Sequence, residues 1–423
     1  MFEDYVKSWY VFDLAALFAA FAAYLLRKKR TASKNHERLR QLKKFLQEFK
    51  PEPLIDAKNL PPSKFVEYRE LDRLDLTSSN FLNFLNNEDI RNDAEECIKR
   101  YGIGSCGPRG FFGTSDAHIE AEVTIAKFLG TEEAIVYSCG CSTVMSAVKT
   151  YCTERDTVFY GDRTNFSIVQ GVASSKSKLV SFKHDDVVDL EKMVMAHENG
   201  RGKRILIVEG ICANTGKICP LPRLVELCKL HTLRIFVDES LSLGVLGKTG
   251  KGVTEYHGVD VGDVDMLMGS LENALGSVGG FCAGSSALVE YQRLFSLSYC
   301  FSASPPPFLA QAVVSAIKIL ESKVSVLQDL MTLSIQVDSW LHACNYEVIS
   351  DKESPLKVVG FKPERRHFVD YIYEYCKRQK IRVIKGDYVL KFNLGLHLCE
   401  RNVNRMEKVF KGALERVSKE NRY

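Results

Sequence analysis

The segment ILIVEGICANTGKICPLPRLVELCKLHTLRIFVDES, residues 205–240, contains two short apolar runs separated by a helical pattern. Residues 205–209 and 235–238 are rich in Ile and Val, which favour buried strands, whereas residues 221–230 have the apolar spacing of a helix. A helix is the usual crossover between two parallel strands, because the chain must return to the same edge before the second strand begins. The segment therefore predicts a β-α-β unit of an α/β fold.

The same alternation continues on both sides of this unit. Further short apolar runs predict strands at residues 134–137, 157–160, 179–182 and 266–268, and helical spacing predicts helices at residues 118–128 and 189–197. Together these segments predict a mostly parallel sheet covered by helices on both faces. Ligands of such folds bind at the carboxyl ends of the strands, so we expect the site in the loops after residues 137, 160, 209, 238 and 268.

The length and composition are those of an elaborated globular protein. The chain has 423 residues, of which 45% are hydrophobic and 26% charged. This length exceeds what one core usually supports, and it suggests either a large domain with a smaller one or a single elaborated unit. We place a large domain at residues 51–300 and a smaller C-terminal α+β domain at residues 301–423.

Charge and cysteine usage exclude two classes of protein. The net charge is only +4, and the basic residues are local, with ten Lys/Arg against two Glu in residues 27–50. A nucleic-acid-binding surface is therefore not expected. The thirteen cysteines are odd in number and scattered, without paired C-x-x-C spacing. They predict reduced thiols in a cytosolic environment and no metal site.

The N-terminal segment has the pattern of a membrane anchor. Residues 9–26, WYVFDLAALFAAFAAYLL, are almost wholly apolar, and they are followed by four basic residues. They predict one transmembrane helix, with residues 1–8 on the lumenal side and the rest of the chain facing the cytosol. A buried core helix is the alternative, because Asp13 interrupts the run; a cleaved signal peptide would carry its positive charge before the apolar run. Residues 27–50 predict a basic amphipathic helix, either on the membrane lipid or packed on the domain.

Six further segments carry a family resemblance. They are YGIGSCGPRGFFGT (101–114), YSCGCS (137–142), VEGICANTGKICPLPRL (208–224), VDESLSLGVLGKTGKG (237–252), SLENALGSVGGF (270–281) and YCFSASPPP (299–307). Their order and spacing resemble the α-oxoamine synthases, which are pyridoxal-phosphate (PLP) enzymes of the fold type I transferase class. The resemblance covers about residues 70–400 and implies that fold.

Within this family, the segments look most like the first long-chain-base subunits of serine palmitoyltransferases. That resemblance implies a role in the condensation of L-serine with palmitoyl-CoA to 3-oxosphinganine, in sphingolipid biosynthesis. It also implies location in the endoplasmic reticulum membrane, which agrees with the apolar segment at residues 9–26.

The PLP-binding lysine of the active relatives is missing from this chain. In the segment that resembles theirs, Asn273 stands at the lysine position, and Glu272 replaces a small hydroxyl residue beside the cofactor phosphate. A carboxamide cannot form the imine with PLP. The family's ring-stacking histidine is also absent, with Asn165 near its place, and Leu241 replaces the histidine of a D-E-A-H motif. We therefore expect no covalently bound cofactor and no catalytic residue in this chain.

Asp238 is the one cofactor-binding residue of the family that remains. The resemblance places it opposite the pyridinium nitrogen of PLP. It could retain weak cofactor binding, or it could be an inherited residue that makes only local hydrogen bonds. Because three cofactor-binding features are lost and one is kept, we favour the second interpretation.

The resemblance implies a dimer whose active sites lie at the interface, so the PLP would be bound by a lysine-bearing catalytic paralogue, the second long-chain-base subunit. Residues of this chain would line that site, and the candidates are Cys106, Arg109, Ser302 and Ser304. The alternative for Cys106 is a small buried residue, crowded by Gly102, Gly104 and Gly107. Small activating subunits and Orm-type regulators are further partners that the resemblance implies.

Two other functions remain open from the sequence. The chain could be an autonomous PLP enzyme with an atypical nucleophile, for which Lys248 and Lys251 are the nearby amines. It could also be a regulatory scaffold that kept only the fold. The region after Val358 matches the family less clearly, and it yields no candidate site residues.

Overall fold

The computed structural model describes residues 73–197 and 202–420. The predicted N-terminal segments at residues 1–8, 9–26 and 27–50 lie outside the described residues. In the described part, no helix is both long and apolar enough to cross a membrane.

Strands and helices alternate through most of this part of the chain. In chain order, the strands are β1 Leu74–Asp75, β2 Glu133–Tyr137, β3 Thr157–Gly161, β4 Lys178–Phe182, β5 Arg204–Glu209, β6 Arg234–Asp238, β7 Met266–Ser270, β8 Gly280–Gly284, β9 Glu347–Val348, β10 Leu356–Gly360, β11 Ile381–Arg382, β12 Ile384–Lys385 and β13 Val389–Asn393. The helices are α1 Glu88–Tyr101, α2 Asp116–Leu129, α3 Gly140–Tyr151, α4 Phe166–Ser175, α5 Val187–Met195, α6 Leu221–His231, α7 Val253–His257, α8 Ser286–Phe295, α9 Leu297–Cys300, α10 Pro307–Ser322, α11 Ser325–Ala343, α12 Arg366–Arg378 and α13 Glu400–Glu420.

The main sheet of the described residues has seven strands in the order β2-β8-β7-β6-β5-β3-β4. The strands from β7 to β4 run parallel, whereas β8 is antiparallel to both of its neighbours. All six predicted strands and all three predicted helices are confirmed, each within two residues at its ends. The sequence analysis missed β8, because its segment GFCAG has a glycine at each end and glycine is depleted in strands.

Both faces of this sheet are buried, as a parallel sheet requires. In β6, the side chains of Ile235 and Val237 belong to one apolar cluster, whereas Phe236 belongs to the cluster on the opposite face. Each of these three side chains is at most 2% exposed, and burying one of them fully contributes about 1.5–3 kcal/mol. Apolar burial on both sides therefore fixes the positions at which the strands end.

A second, smaller sheet has the strand order β12-β13-β10-β9, and its strands are antiparallel. It shares an apolar core with α11, α12 and α13, and Leu74 and Leu76 from the start of the described chain pack into the same core. Helix α11 contributes to both cores, with Leu330 in the first and Val337 in the second. The domain limits at residues 51–300 and 301–423 stay a prediction.

All thirteen cysteines lie within the described residues and are free thiols. Cys152, Cys228 and Cys282 are buried, and burial raises the pKa of the Cys152 and Cys228 thiols to about 12. Thiols of this kind are structural apolar residues rather than nucleophiles.

Candidate active site

The carboxyl ends of β5, β6 and β7 lie side by side at one edge of the main sheet. Glu209 pairs with Asp238 across β5 and β6, Asp238 pairs with Met268 across β6 and β7, and Ser270 lies two residues beyond Met268 at the end of β7. Helix α3 begins after β2 and helix α4 begins after β3, in the loops that the alternating pattern predicted. The edge therefore combines strand ends with helix N-termini, the arrangement that binds phosphate-bearing ligands in α/β folds.

Asn165 joins two buried carboxyl groups at this edge. Its amide nitrogen Nδ2 donates to Oε1 of Glu209 at 3.0 Å and to Oδ2 of Asp238 at 2.9 Å. Its backbone N–H donates to Oε2 of Glu209 at 3.0 Å, and its Oδ1 accepts the backbone N–H of Ile168, capping α4. One amide group thus uses both of its hydrogens to hold together two acids that would otherwise repel each other.

Asp238 is satisfied within this network. It is 2% exposed, and its Oδ1 accepts both the backbone N–H of Ser240 at 2.9 Å and the Ser240 hydroxyl at 2.5 Å. Burial raises the pKa of Asp238, and the hydrogen bonds from Ser240 and Asn165 oppose that shift. Burial, followed by the neighbouring Asp238 charge, raises the pKa of Glu209 to about 7. Asp238 thus makes local hydrogen bonds within its own chain, and the choice between vestigial and retained cofactor binding stays a prediction.

Asn273 follows β7 and is held at both ends of its amide. Its Nδ2 donates to the backbone oxygen of Ser240 at 2.6 Å, and its Oδ1 accepts the hydroxyl of Ser79 at 2.5 Å. The side chain therefore bridges the loop after β6 and the start of the described chain. It is a structural amide with no free amine to react.

Glu272 folds back over the end of β7. Its Oε2 accepts the hydroxyl of Ser270 at 2.7 Å, and its backbone N–H donates to the same hydroxyl at 3.1 Å. A Cβ added to Gly140, the first residue of α3, would lie 3.0 Å from Oε2 of Glu272. The carboxylate therefore lies against the N-terminus of α3.

The residues at this edge do not fit a PLP cofactor in the way that the resemblance implies for active relatives. The lysine position holds Asn273, Oδ2 of Asp238 accepts a hydrogen bond from Asn165, and the position beside the phosphate holds a carboxylate. Of the two alternative amines, Lys248 is exposed, and Lys251 lies with it in the glycine-rich loop that precedes α7.

The loop at residues 101–114 is anchored by a buried arginine. Arg109 donates from Nη1 to Oε1 of Glu122 at 2.7 Å and from Nη2 to Oε2 at 3.0 Å, and its Nε donates to Thr114 Oγ1 at 3.0 Å. The guanidinium is thus occupied within its own chain. An interface contact by Arg109 itself stays a prediction, but its observed contact fixes the loop that carries Cys106.

Cys106 is exposed and has a left-handed backbone conformation, with φ of 60°. The alternative that it is a small buried residue is therefore wrong. The crowding expected from the glycines is present at Gly107, where an added Cβ would lie 2.6 Å from the Phe111 carbonyl oxygen, but no atom lies within 4 Å of such a Cβ at Gly102 or Gly104. Spacing of glycines alone does not distinguish a crowded position from an open one.

Ser302 and Ser304 lie in the loop that packs against residues 101–114. The backbone N–H of Ser304 donates to the oxygen of Gly107 at 2.9 Å, and the hydroxyl of Ser105 donates to the oxygen of Ser304 at 2.7 Å. Ser302 donates its hydroxyl to the oxygen of Ser298 at 2.5 Å, and it lies 3.2 Å from the Ser138 hydroxyl. The structure therefore brings all four candidates, Cys106, Arg109, Ser302 and Ser304, into one pair of linked loops.

Two residues of these loops and strand ends were missed by the sequence analysis. His118 accepts the Ser115 backbone N–H on Nδ1, and its Nε2 lies 2.7 Å from the oxygen of Pro305, which ties the two loops together. Burial lowers the pKa of His118, so its neutral form donates from Nε2 to that oxygen. Lys391 of β13 donates to the oxygen of Ala213 at 3.1 Å and to Oδ1 of Asn214 at 2.8 Å, next to Glu209. The only signal for Lys391 was a cation between two apolar strand residues.

Comparisons with known proteins agree with this geometry. The family model described as "Aminotransferase class I and II" matches residues 72–390. The chain is 38% identical to long chain base biosynthesis protein 1b of Oryza sativa subsp. japonica, over 74% of this chain and 69% of that protein. It is 35% identical to serine palmitoyltransferase 1 of Dictyostelium discoideum, over 74% of this chain and 70% of that protein.

Solved structures share the fold at lower identity. A serine palmitoyltransferase of Sphingomonas wittichii superposes with a TM-score of 0.76 and 24% identity, covering 81% of this chain and 87% of that one. An 8-amino-7-oxononanoate synthase from Francisella tularensis superposes with a TM-score of 0.73 and 22% identity, covering 82% of this chain and 100% of that one. The chain therefore belongs to the class I and II aminotransferase family, and within it to the group of long chain base biosynthesis protein 1 and serine palmitoyltransferase 1.

Proposed function

We propose that this chain is the non-catalytic, membrane-anchored subunit of a heterodimeric serine palmitoyltransferase. In that role it supports the condensation of L-serine with palmitoyl-CoA, which yields 3-oxosphinganine, CO₂ and CoA. The names of its relatives support the reaction, since they include serine palmitoyltransferase 1 proteins of two organisms. The absence of an amine at residue 273 supports the non-catalytic role.

The single observation that carries the proposal is the environment of Asn273. The nitrogen of a carboxamide is not nucleophilic, and here the amide is also committed to hydrogen bonds with Ser240 and Ser79. PLP, which acts as the electron sink when it is bound, would therefore be held by a lysine-bearing paralogue. This chain would bind no cofactor covalently.

In this proposal, the chain contributes to the shared active site a surface whose loops are already ordered by contacts within the chain. We define the partner face as residues 101–114 together with residues 301–305. Gly107 and Ser304 hydrogen bond across it, and the Arg109–Glu122 ion pair holds it to α2. Phe111, Phe112 and Phe301 are at least 71% exposed on these loops, an apolar surface of the kind that protein interfaces bury. Cys106 is exposed on the same face, which supports its proposed role in lining the partner's substrate pocket.

We also propose a cellular location for this chain. Residues 9–26 would span the endoplasmic reticulum membrane once, residues 27–50 would lie against its lipid, and the domain would face the cytosol. An anchor suits the chemistry, because the acyl chain of palmitoyl-CoA and the lipid product both partition into membranes. Small activating subunits and Orm-type regulators are proposed as additional partners on the strength of the family resemblance alone.

The test is purification of the tagged full-length chain in detergent, followed by mass spectrometry and a serine plus palmitoyl-CoA assay on the eluate. We expect a lysine-bearing paralogue to co-purify with activity. Changing that paralogue's lysine should abolish the activity, whereas Asn273→Ala in this chain should leave the turnover of the assembled complex largely unchanged.

The same assay separates the other two functions. Activity from this chain alone, trapped by borohydride on one of its own lysines, would contradict the proposal and show an autonomous enzyme. Full activity of the paralogue in the absence of this chain would show that this chain is not needed for the reaction. That result would also contradict the proposal, and it would favour a regulatory scaffold.

A further inference from the structure

The N-terminus of α3 is an anion-binding position without a side-chain cap from its own residues. The helix begins at Gly140, and Cys139 before it provides no side-chain hydrogen bond to the first turn. The first backbone N–H groups of a helix have no acceptors within the helix, and the helix dipole favours a negative charge beside them. In active relatives, by the resemblance described above, the cofactor phosphate lies beside the residue that aligns with Glu272.

In this chain the anion beside α3 is part of the protein. Oε2 of Glu272 lies 3.0 Å from the position that a Cβ of Gly140 would occupy, so the carboxylate contacts the first residue of the helix. The Ser270 hydroxyl fixes the orientation of the side chain, because it donates to Oε2 at 2.7 Å and accepts the Glu272 backbone N–H at 3.1 Å. The carboxylate is exposed and is held on the Ser270 side, and its charge lies beside the helix start without a hydrogen bond to the first-turn N–H groups.

The space at this position is narrow. The same Cβ at Gly140 would lie 2.8 Å from Cβ of Ser270 and 2.9 Å from its hydroxyl oxygen. The loop after β7 thus packs directly against the start of α3. A dianionic phosphate in this space would meet both the side chain and the negative charge of Glu272.

We propose that the Glu272 carboxylate is an internal substitute for the cofactor phosphate: it caps α3 through its charge rather than through a hydrogen bond, and that charge repels exogenous anions from the inherited phosphate position. The chain then keeps the fold of a PLP enzyme without needing the cofactor to stabilise that helix end. This inference concerns the chain by itself, and it holds or fails independently of which subunit partners it.

The first experiment restores the missing amine and then removes the substitute. The full-length chain in detergent is prepared as N273K and as N273K/E272S, and each is titrated with pyridoxal phosphate and, separately, with pyridoxal, which lacks the phosphate. Bound ligand is trapped with borohydride and located by peptide mass spectrometry. We expect the E272S change to tighten pyridoxal phosphate binding on the order of tenfold and to leave pyridoxal binding unchanged. N273K/E364S is the matched control, since Glu364 is an exposed acid between β10 and α12.

Two results would overturn the proposal. One is equal tightening for both ligands, which would mean that E272S only opens space; the other is N273K alone binding pyridoxal phosphate as tightly as the double variant. A second measurement covers the case in which the lysine variants fold poorly. E272Q keeps the size of the side chain, and we expect it to lower the melting temperature by about 1–3 °C at low salt, with the difference fading at high salt. A melting temperature unchanged at all salt concentrations would contradict the capping role.

Discussion

Arg109 and Glu122 form a bidentate ion pair, with Nη1–Oε1 at 2.7 Å and Nη2–Oε2 at 3.0 Å, between the loop at residues 101–114 and helix α2. Both side chains are buried, and Glu122 also accepts the backbone N–H of Val136 in β2 at 3.0 Å. The pair therefore joins the partner face to the main sheet. Its geometry explains why a loop rich in glycine has a defined shape.

We predict that Arg109→Met destabilises the chain by about 3 kcal/mol, because it leaves the Glu122 carboxylate buried with only the more distant Arg293 nearby. Denaturant unfolding of the purified chain measures the loss. Arg100→Met is the control, since Arg100 pairs with Asp116 at the surface and should cost less than about 1 kcal/mol. A loss of similar size in both variants would show that the buried pair has no special role. Adding Glu122→Gln to Arg109→Met should restore part of the stability.

We predict that Cys106→Phe changes the function of the complex but not the stability of the isolated chain. Cys106 is exposed, so the larger ring has room in this chain, whereas it would enter the proposed shared pocket. The measurements are the melting temperature of the chain, recovery of the paralogue and turnover of the complex. Lys176→Phe is matched, because Lys176 is also exposed and has a left-handed φ of 62°. Equal activity of the two variants would remove Cys106 from the partner face.

We predict that Lys391→Met loosens the loop after β5. Its amine donates to the oxygen of Ala213 and to Oδ1 of Asn214, and without it these acceptors lose the hydrogen bonds that join them to β13. The expected cost is about 1–2 kcal/mol. Hydrogen exchange of residues 210–217 should become faster, and the exposed Lys362→Met should leave it unchanged. Unchanged exchange in the Lys391 variant would mean that the loop is held by its backbone contacts alone.

We predict that stability falls as the pH rises from mildly acidic values to about 7, and that Glu239 causes part of this fall. Burial raises the pKa of Glu239 from its ordinary value to about 7 in the folded chain. The folded state then binds a proton more tightly than the unfolded state, so the contribution is fully present below the ordinary pKa of 4.5 and is lost as the pH rises from there to about 7.

The check is the free energy of unfolding measured between about pH 5 and pH 8. Glu239→Gln should flatten the slope, because the amide does not titrate but can still accept the Val253 backbone N–H, as the carboxylate does at 3.1 Å. Glu209, whose pKa is also raised to about 7, should leave a residual slope in the variant. The exposed Glu364→Gln should keep the full slope, and an unchanged slope in Glu239→Gln would contradict the assignment.

The sequence by itself determined the order of strands and helices and the absence of an amine at residue 273. Apolar periodicity is a local property, and it placed β5, α6 and β6 within two residues of their observed ends. The identity of residue 273 is equally local, since a carboxamide lacks a nucleophilic amine in any surroundings. The antiparallel strand β8 was not predicted, because its glycines lack the residue pattern of a strand. Its pairing with β2 and β7 defines it in the folded chain.

Only the tertiary structure decided what each polar side chain contacts. Arg109 pairs with Glu122 of its own chain, Asn165 joins Glu209 to Asp238, and Glu272 lies against Gly140, 132 residues earlier in the sequence. A charged or amide group can satisfy its hydrogen bonds with many partners, and its partner is whichever one the folded backbone brings within about 3 Å. Local pattern therefore predicts the sheet and the amide at residue 273, whereas long-range packing determines which groups surround that residue.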